Sequence, residues 1–126
     1  MDTKDSPERT WEQIRTCYRA LDDKKAEDLK VLNVEGLSPI TDYMIIATGT
    51  SQPHLKALRN ELEKTFKASS ISLTGEDRDA DSGWVILDAF DFMVHLFTRE
   101  QRDYYGMESL WKDAEEMEAT LEPLSA

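Results

Sequence analysis

The sequence is almost devoid of cysteine. Among its 126 residues only Cys17 carries a thiol, which excludes a disulfide bond within the chain and is typical of a reducing compartment. Long apolar runs are also missing, since none approaches the roughly 20 residues that a membrane-spanning helix needs. No apolar stretch follows the first five residues, so the chain does not begin like a secreted protein. These absences predict a cytoplasmic protein.

Clusters of basic residues are scarce as well. The formal net charge is −11, with 26 acidic and 15 basic residues, and residues 71–98 contain six acids against a single base. Because binding to a phosphate backbone depends on clustered Lys and Arg, direct nucleic-acid binding is disfavoured, despite a modest basic excess in residues 51–70. A basic protein partner fits this charge better. The negative charge is equally consistent with a role only in keeping the protein soluble, and composition does not distinguish the two interpretations.

The apolar content, 40% of the residues, is sufficient for one hydrophobic core but leaves little for a second. We therefore predict a single domain over residues 9–119. Residues 1–8 are predicted to form an N-terminal extension, and residues 120–126 a frayed tail.

Two segments show helical periodicity. The first is predicted to begin at Ser6-Pro7-Glu8, where Ser6 is a capping residue, and its apolar residues are Trp11, Ile14, Tyr18 and Leu21. The second is predicted to begin after Ser51 as N-cap and to end near Ala68. Its apolar residues are Leu55, Leu58, Leu62 and Phe66.

Five segments have the composition of strands: Leu29–Val34, Tyr43–Thr48, Ile71–Thr74, Trp84–Asp88 and Phe92–Phe97. A helix joins the second to the third, which predicts a parallel pair. Only three residues separate the last two, which predicts an antiparallel hairpin. Residues 75–83 are polar and acidic and are predicted to form a mobile loop.

The C-terminal part is predicted to be helical. Thr98 with Gln101 has capping-box spacing and opens a short helix that ends at Gly106. A further helix is predicted from the apolar residues Met107, Leu110, Trp111, Ala114 and Met117. The expected fold class is α/β, with a mixed five-stranded sheet and helices packed on it.

One motif favours an enzyme. Gly49-Thr50-Ser51 lies between a predicted strand and a helix, where backbone amides can hold a phosphate. It resembles the Gly-Ser element of nucleotidyltransferases, so the alternative function is a nucleotidyl- or phosphotransferase acting at Ser51, Asp88 and Asp91. The acidic pair that this chemistry needs shortly downstream is missing, and a capped helix entry is the preferred interpretation.

Other catalytic and metal-binding arrangements are poorly supported. Cys17 lies in an apolar helical stripe, and neither His54 nor His95 lies in a recognisable motif. Two separated histidines and one cysteine do not readily complete a zinc site, although an all-carboxylate magnesium site is conceivable. No cofactor is predicted.

Aromatic residues around Gly106 favour a protein interface. Tyr104 and Tyr105 lie beside Arg102, and Tyr, Trp and Arg are the residue types that most often anchor interfaces. Because the two tyrosines are adjacent and face different directions, at least one is predicted to be accessible. Trp111 and Leu110 lie on an apolar stripe and are predicted to belong to the core.

Several segments resemble the Iojap-like ribosomal silencing factors. Thr41-Asp42-Tyr43 followed by Ile46–Gly49 is similar to the family's "tDYfViatG" pattern, and Trp84–Phe97 is similar to its "WvLLDygdvvVHiF" hairpin. The segment from Arg102 to Ala114 resembles the family's "R-x-x-Y-x-L-E-x-L-W-x-D-A" ending. The resemblance extends from about Leu21 to Ala114. The departures from the family's pattern are Asn33 for Asp, Met107 for Leu, and Ala89-Phe90 for Tyr-Gly.

The resemblance implies a nucleotidyltransferase-like fold that lacks catalytic acids, and therefore a protein that is not an enzyme. It implies binding to the large ribosomal subunit through ribosomal protein L-fourteen, where the bound domain blocks joining of the small subunit. The resemblance also implies a homodimer when the protein is free. From the motif matches and residue types, we predict these partner-binding residues: Asp88, His95, Arg102, Tyr104, Tyr105, Glu108 and Trp111.

Overall fold

A mixed sheet with helices on both faces is built from elements in the order α1, β1, β2, α2, β3, β4, β5, α3, α4, β6. The computed structural model describes residues 7–77 and 82–117. The helices are α1 (Pro7–Asp23), α2 (Gln52–Ala68), α3 (Arg99–Tyr105) and α4 (Met107–Leu110). The strands are β1 (Glu27–Asn33), β2 (Tyr43–Gly49), β3 (Gly75–Asp77), β4 (Trp84–Asp88), β5 (Phe92–Thr98) and β6 (Glu115–Met117).

The strand order is β3-β4-β5-β2-β1-β6, which confirms the mixed α/β class but adds a sixth strand. The central pair β2–β5 is parallel, with Tyr43 opposite Phe92 and Gly49 opposite Thr98. The predicted hairpin of β4 and β5 is confirmed. The predicted parallel pairing across α2 is wrong, because β3 pairs with β4, and two strands separate it from β2.

The main core lies between one face of the sheet and the helices α1 and α2. The apolar stripe predicted for α2 is buried as expected, and on α1 Ile14 and Leu21 are fully buried. Cys17 is buried beside them, and burial raises the pKa of its thiol to about 12. A smaller core on the opposite face contains Phe97 and Met107 and lies beneath α3 and α4.

The predicted long C-terminal helix is wrong. Helix α4 ends at Leu110, and after a turn the chain forms β6, which pairs with the outer side of β1. Backbone hydrogen bonds to an otherwise open strand edge stabilise this strand. Met117 there packs against the main core, so the apolar spacing that indicated a helix arises from packing in a strand.

The third strand lies later than predicted, at Gly75–Asp77 rather than Ile71–Thr74. Ile71 is buried against the main core without joining the sheet, which explains the apolar signal at that position. Of the loop predicted over residues 75–83, the first three residues are therefore strand. Residues 78–81 lie outside the described residues, as do the predicted cap Ser6 and the tail.

Both predicted helix caps within the described ranges are confirmed. Ser51 Oγ accepts a hydrogen bond from the His54 amide at 3.2 Å, and Thr98 Oγ1 accepts one from the Gln101 amide at 3.4 Å. Gly106, with φ of 59°, ends α3. None of the helices seen in residues 7–77 and 82–117 has the length and hydropathy of a membrane span.

Candidate docking surface

A row of four aromatic side chains runs from the sheet to the surface on the face that carries α3 and α4. We call it the aromatic row; its members are His95, Trp84, Tyr105 and Tyr104. Ring centroids of successive members lie 5.9, 4.4 and 5.2 Å apart. The strand β4 supplies Trp84, β5 supplies His95, and α3 supplies both tyrosines. Strand pairing and one short helix therefore assemble the row from distant parts of the chain.

Exposure rises steadily along the row. His95 is 3% exposed, Tyr105 45% and Tyr104 77%, while Leu110 nearby on α4 is 70% exposed. Both tyrosines are accessible, which confirms the prediction for at least one of them. The prediction that Leu110 belongs to the core is wrong, because α4 is a single turn that directs Leu110 outward. Trp111 does pack against the smaller core, as predicted.

Arg102 attaches helix α3, which carries both tyrosines of the aromatic row, to the sheet. Its Nη1 donates to the Asp28 carbonyl and to Thr48 Oγ1, both at 2.7 Å. Its Nε and Nη2 donate to the two carboxylate oxygens of Glu108 at 2.9 and 3.1 Å. The side chain is only 7% exposed, so one guanidinium joins α3 to β1, β2 and α4.

Glu108 is held by two cations. Besides the Arg102 fork, Lys30 Nζ donates to Glu108 Oε2 at 2.8 Å. The hydrogen bond from Arg102, with a further one from Lys30, outweighs burial and lowers the pKa of Glu108 to about 2. Arg102 and Glu108 therefore hold α3 and α4 in place, and their contact with a partner stays a prediction.

His95, the buried end of the aromatic row, is a neutral imidazole. Its Nδ1 accepts a hydrogen bond from Trp84 Nε1 at 3.1 Å, so the ring proton of the neutral form is on Nε2. That Nε2, like Trp111 Nε1, is buried and has no hydrogen-bond partner in residues 7–77 and 82–117. Burial lowers the pKa of His95 to about 4, against the opposing charge of Asp88.

Two of the predicted partner-binding residues are less exposed than the tyrosines of the aromatic row. His95 is buried, and Asp88 is half-buried at the end of β4, where its Oδ1 accepts from the Phe90 amide at 2.8 Å. Trp84 was not among the predicted site residues, although it contacts both His95 and Tyr105. Strand alternation alone did not indicate this contact, because Trp84 shares a face with His95 only in the register that pairs Ile86 with His95.

The Gly49-Thr50-Ser51 turn is occupied by its own hydrogen bonds. The Thr50 amide donates to His54 Nδ1 at 2.9 Å, and the other ring nitrogen, Nε2, lies 2.7 Å from the Lys24 carbonyl. The Leu55 amide donates to the Ser51 carbonyl. A Cβ at Gly49 would lie 3.0 Å from the Leu55 nitrogen, so glycine is needed for the close approach of strand and helix. The turn is a capped helix entry rather than an open phosphate loop.

The residues of the transferase alternative do not meet. Ser51 follows the carboxyl end of β2, whereas Asp88 and Asp91 flank the turn that precedes the parallel strand β5. The serine and the two acids are therefore at opposite ends of the central strand pair, about 20 Å apart for strands of this length. Across residues 7–77 and 82–117, His, Cys, Asp and Glu form no group of three or more that could hold a metal ion.

Comparison with known proteins gives a consistent result. Residues 7–126 match the model of the family described as "Ribosomal silencing factor during starvation". The chain is similar to the ribosomal silencing factor RsfS of Halalkalibacterium halodurans, with 36% identity over 107 residues, which is 85% of this chain and 92% of the relative.

Two further relatives extend the comparison. The crystal structure of protein CV0518 from Chromobacterium violaceum is similar, with a TM-score of 0.76, 30% identity, and coverage of 90% of this chain and 94% of that one. A mouse protein named "Mitochondrial assembly of ribosomal large subunit protein 1" is 35% identical over 92 residues, or 70% of this chain and 40% of the mouse protein.

Proposed function

The chain belongs to the family of ribosomal silencing factors, and we propose that it represses translation by binding ribosomal protein L-fourteen on the large ribosomal subunit. Bound there, a domain of this size blocks the joining of the small subunit by steric exclusion. The mechanism needs no chemistry, so we propose that the protein is not an enzyme and uses no cofactor. We further propose that it acts in the cytoplasm and is a homodimer before it binds.

The observation that supports this most strongly is the exposed end of the aromatic row. Tyr104, Tyr105 and Leu110 expose large apolar surface on a rigid support, and aromatic side chains with few rotatable bonds lose little entropy on binding. The Arg102 fork holds that support in place before any partner arrives, which lowers the ordering cost of binding.

The charge of the chain supports a protein partner rather than RNA. With a net charge of −11, the domain is repelled by the phosphates that surround any ribosomal protein. A basic protein surface would attract it, and the surrounding RNA would discourage binding elsewhere. The name of the mouse relative refers to the large ribosomal subunit, which supports the proposal that this chain binds the large rather than the small subunit.

The decisive experiment is cosedimentation of the purified protein with isolated large and small subunits at near-physiological salt. We expect binding to the large subunit alone, and a pull-down with purified ribosomal protein L-fourteen should reproduce it. Added small subunits should then form fewer joined ribosomes. Failure to cosediment, or joining that proceeds at the unperturbed level with the factor bound, would refute the proposal.

A further inference from the structure

The turn between β4 and β5 presents an aromatic side chain in an unfavourable backbone conformation. Phe90 has φ of 73°, in the left-handed region that its Cβ disfavours, and it is 56% exposed. The Asp88 carboxylate helps to hold this conformation by accepting from the Phe90 amide at 2.8 Å. The family pattern has glycine at this position, so the positive φ belongs to the turn, and the exposed aromatic side chain is a departure of this chain that tolerates backbone strain.

Phe90 is joined to a second exposed loop. Thr41 Oγ1 donates to the Phe90 carbonyl at 3.3 Å, and the Asp42 amide donates to the Asp91 carbonyl at 3.3 Å. The same β1–β2 loop carries Ile40, 65% exposed, and Leu37, 48% exposed. We call Leu37, Ile40 and Phe90 the apolar tip.

The apolar tip is separate from the aromatic row. It precedes β2 and β5, whereas α3 and its tyrosines follow the far end of β5. Seven residues of strand separate the two surfaces, which places them about 20 Å apart. A single small partner segment would not cover both.

The two loops that carry the tip are acidic. The segments 35–42 and 88–92 contain Glu35, Asp42, Asp88 and Asp91 but neither Lys nor Arg. Of these acids, Glu35 is exposed, Asp42 and Asp88 are half-buried, and Asp91 is buried, where it accepts a hydrogen bond from Thr10 Oγ1 at 3.5 Å. An apolar anchor with acidic neighbours suits a partner that combines an apolar side chain with cations.

We propose that the apolar tip is a second docking surface, which receives a Lys- or Arg-bearing segment of a large-subunit protein. The inference rests on the proposed function, because it assumes that the domain binds that subunit. Ribosomal RNA is disfavoured as the occupant because the neighbouring carboxylates repel phosphates. A second copy of this chain is disfavoured because its own acidic tip or surface would be brought against the first.

Phe90→Gly separates binding from folding. Glycine adopts a positive φ without strain, so we expect the midpoint of thermal unfolding to stay the same or rise. Affinity for isolated large subunits in cosedimentation should fall by about fivefold to tenfold, as expected on loss of an interface anchor. Leu73→Ala is the matched control, because Leu73 is an apolar side chain that is 39% exposed and lies outside both surfaces. This variant should bind like the wild type.

The outcomes distinguish this inference from the proposed function. If Phe90→Gly bound like the wild type while Tyr104→Ala bound weakly, the tip would have no docking role and the proposed function would stand. If the wild type itself did not bind, both would be refuted.

Photocrosslinking identifies the occupant of the tip. With p-benzoylphenylalanine in place of Phe90, irradiation with isolated large subunits should give a crosslink to a protein segment that contains Lys or Arg. The same amino acid in place of Tyr104 is the positive control for the aromatic row. Crosslinks from position 90 only to RNA, only to a second copy of the chain, or to nothing while position 104 reacts, would overturn the inference.

Discussion

Trp84 fixes the tautomer of His95, and burial keeps the ring of that histidine neutral. Because the indole Nε1 can only donate, its 3.1 Å hydrogen bond requires His95 Nδ1 to be an acceptor, which only the neutral imidazole provides. Protonation of His95 would break that bond and place a charge at the buried end of the aromatic row. The aromatic row is therefore coupled to pH through a buried side chain.

This coupling predicts that stability decreases in mild acid. The pKa of His95 is about 4 in the folded protein, against 6.5 when unperturbed, so the unfolded chain binds the proton more readily. The resulting contribution to the free energy of unfolding is complete above pH 6.5, declines as the pH falls, and is lost below about pH 4. It amounts to about 3 kcal/mol.

His95→Asn is the control for this prediction, because an amide accepts from Trp84 but does not titrate. Chemical denaturation of both proteins between pH 7 and pH 4 measures the difference. Carboxylates titrate in both proteins and cancel, so parallel pH profiles would show that His95 does not contribute.

Removal of the Arg102 guanidinium should destabilise the fold considerably. Arg102→Ala leaves Glu108, Thr48 Oγ1 and the Asp28 carbonyl without their buried donor, at a cost of about 3 kcal/mol. Arg102→Lys should recover only part of this, since an ammonium cannot reproduce the planar fork. Arg99→Ala, at a 64% exposed side chain paired with Glu27, should change stability by less than about 0.5 kcal/mol in urea titrations. Equal effects at the two arginines would contradict the structural role of Arg102.

Tyr104→Ala should weaken binding to ribosomal protein L-fourteen without affecting the fold. Because the side chain is 77% exposed, the midpoint of thermal unfolding should shift by no more than about 2 °C. Affinity measured by calorimetry should fall by about tenfold, the loss that is typical of an aromatic anchor. Lys64→Ala, at a 77% exposed side chain on α2, is the matched control. Wild-type affinity in Tyr104→Ala would exclude this tyrosine from the interface.

Gly49→Ala should be destabilising by about 1–3 kcal/mol. Its new Cβ would approach the Leu55 backbone nitrogen and Cα to 3.0 and 3.1 Å, and neither atom can move independently of α2. Gly75→Ala is the comparison, because its Cβ would meet Asp88 Cβ at an ordinary 3.6 Å. Equal midpoints for the two variants in urea would show that the strand–helix contact is looser than the structure indicates.

Local sequence signals predicted the elements whose stability is local. The Ser51 and Thr98 caps, the α2 stripe and the β4–β5 hairpin each depend on residues close together in the chain, and all four are found in the structure. The parallel pairing of β2 with β5 was not predicted because it joins residues 49 positions apart, such as Tyr43 and Phe92, with no turn to set the register. Strand β6 was missed for the same reason, since its partner is β1.

The candidate surface was predicted only in part. Residue type and the helix break at Gly106 correctly indicated accessible tyrosines. The position of Arg102 could not be predicted, because its partners Asp28 and Thr48 are 74 and 54 residues away in sequence. The outward position of Leu110 depends on α4 ending after one turn, which the apolar spacing did not reveal.

The two outermost strands have a consequence for behaviour at high concentration. Both β3 (Gly75–Asp77) and β6 (Glu115–Met117) are three residues long, and each carries two carboxylates. Short edge strands offer an incoming strand few backbone groups to pair with. Their carboxylates also repel the same edge strand of another copy. We infer that the sheet resists fibrillar growth through its edges, so the protein should stay free of fibrils in concentrated solution.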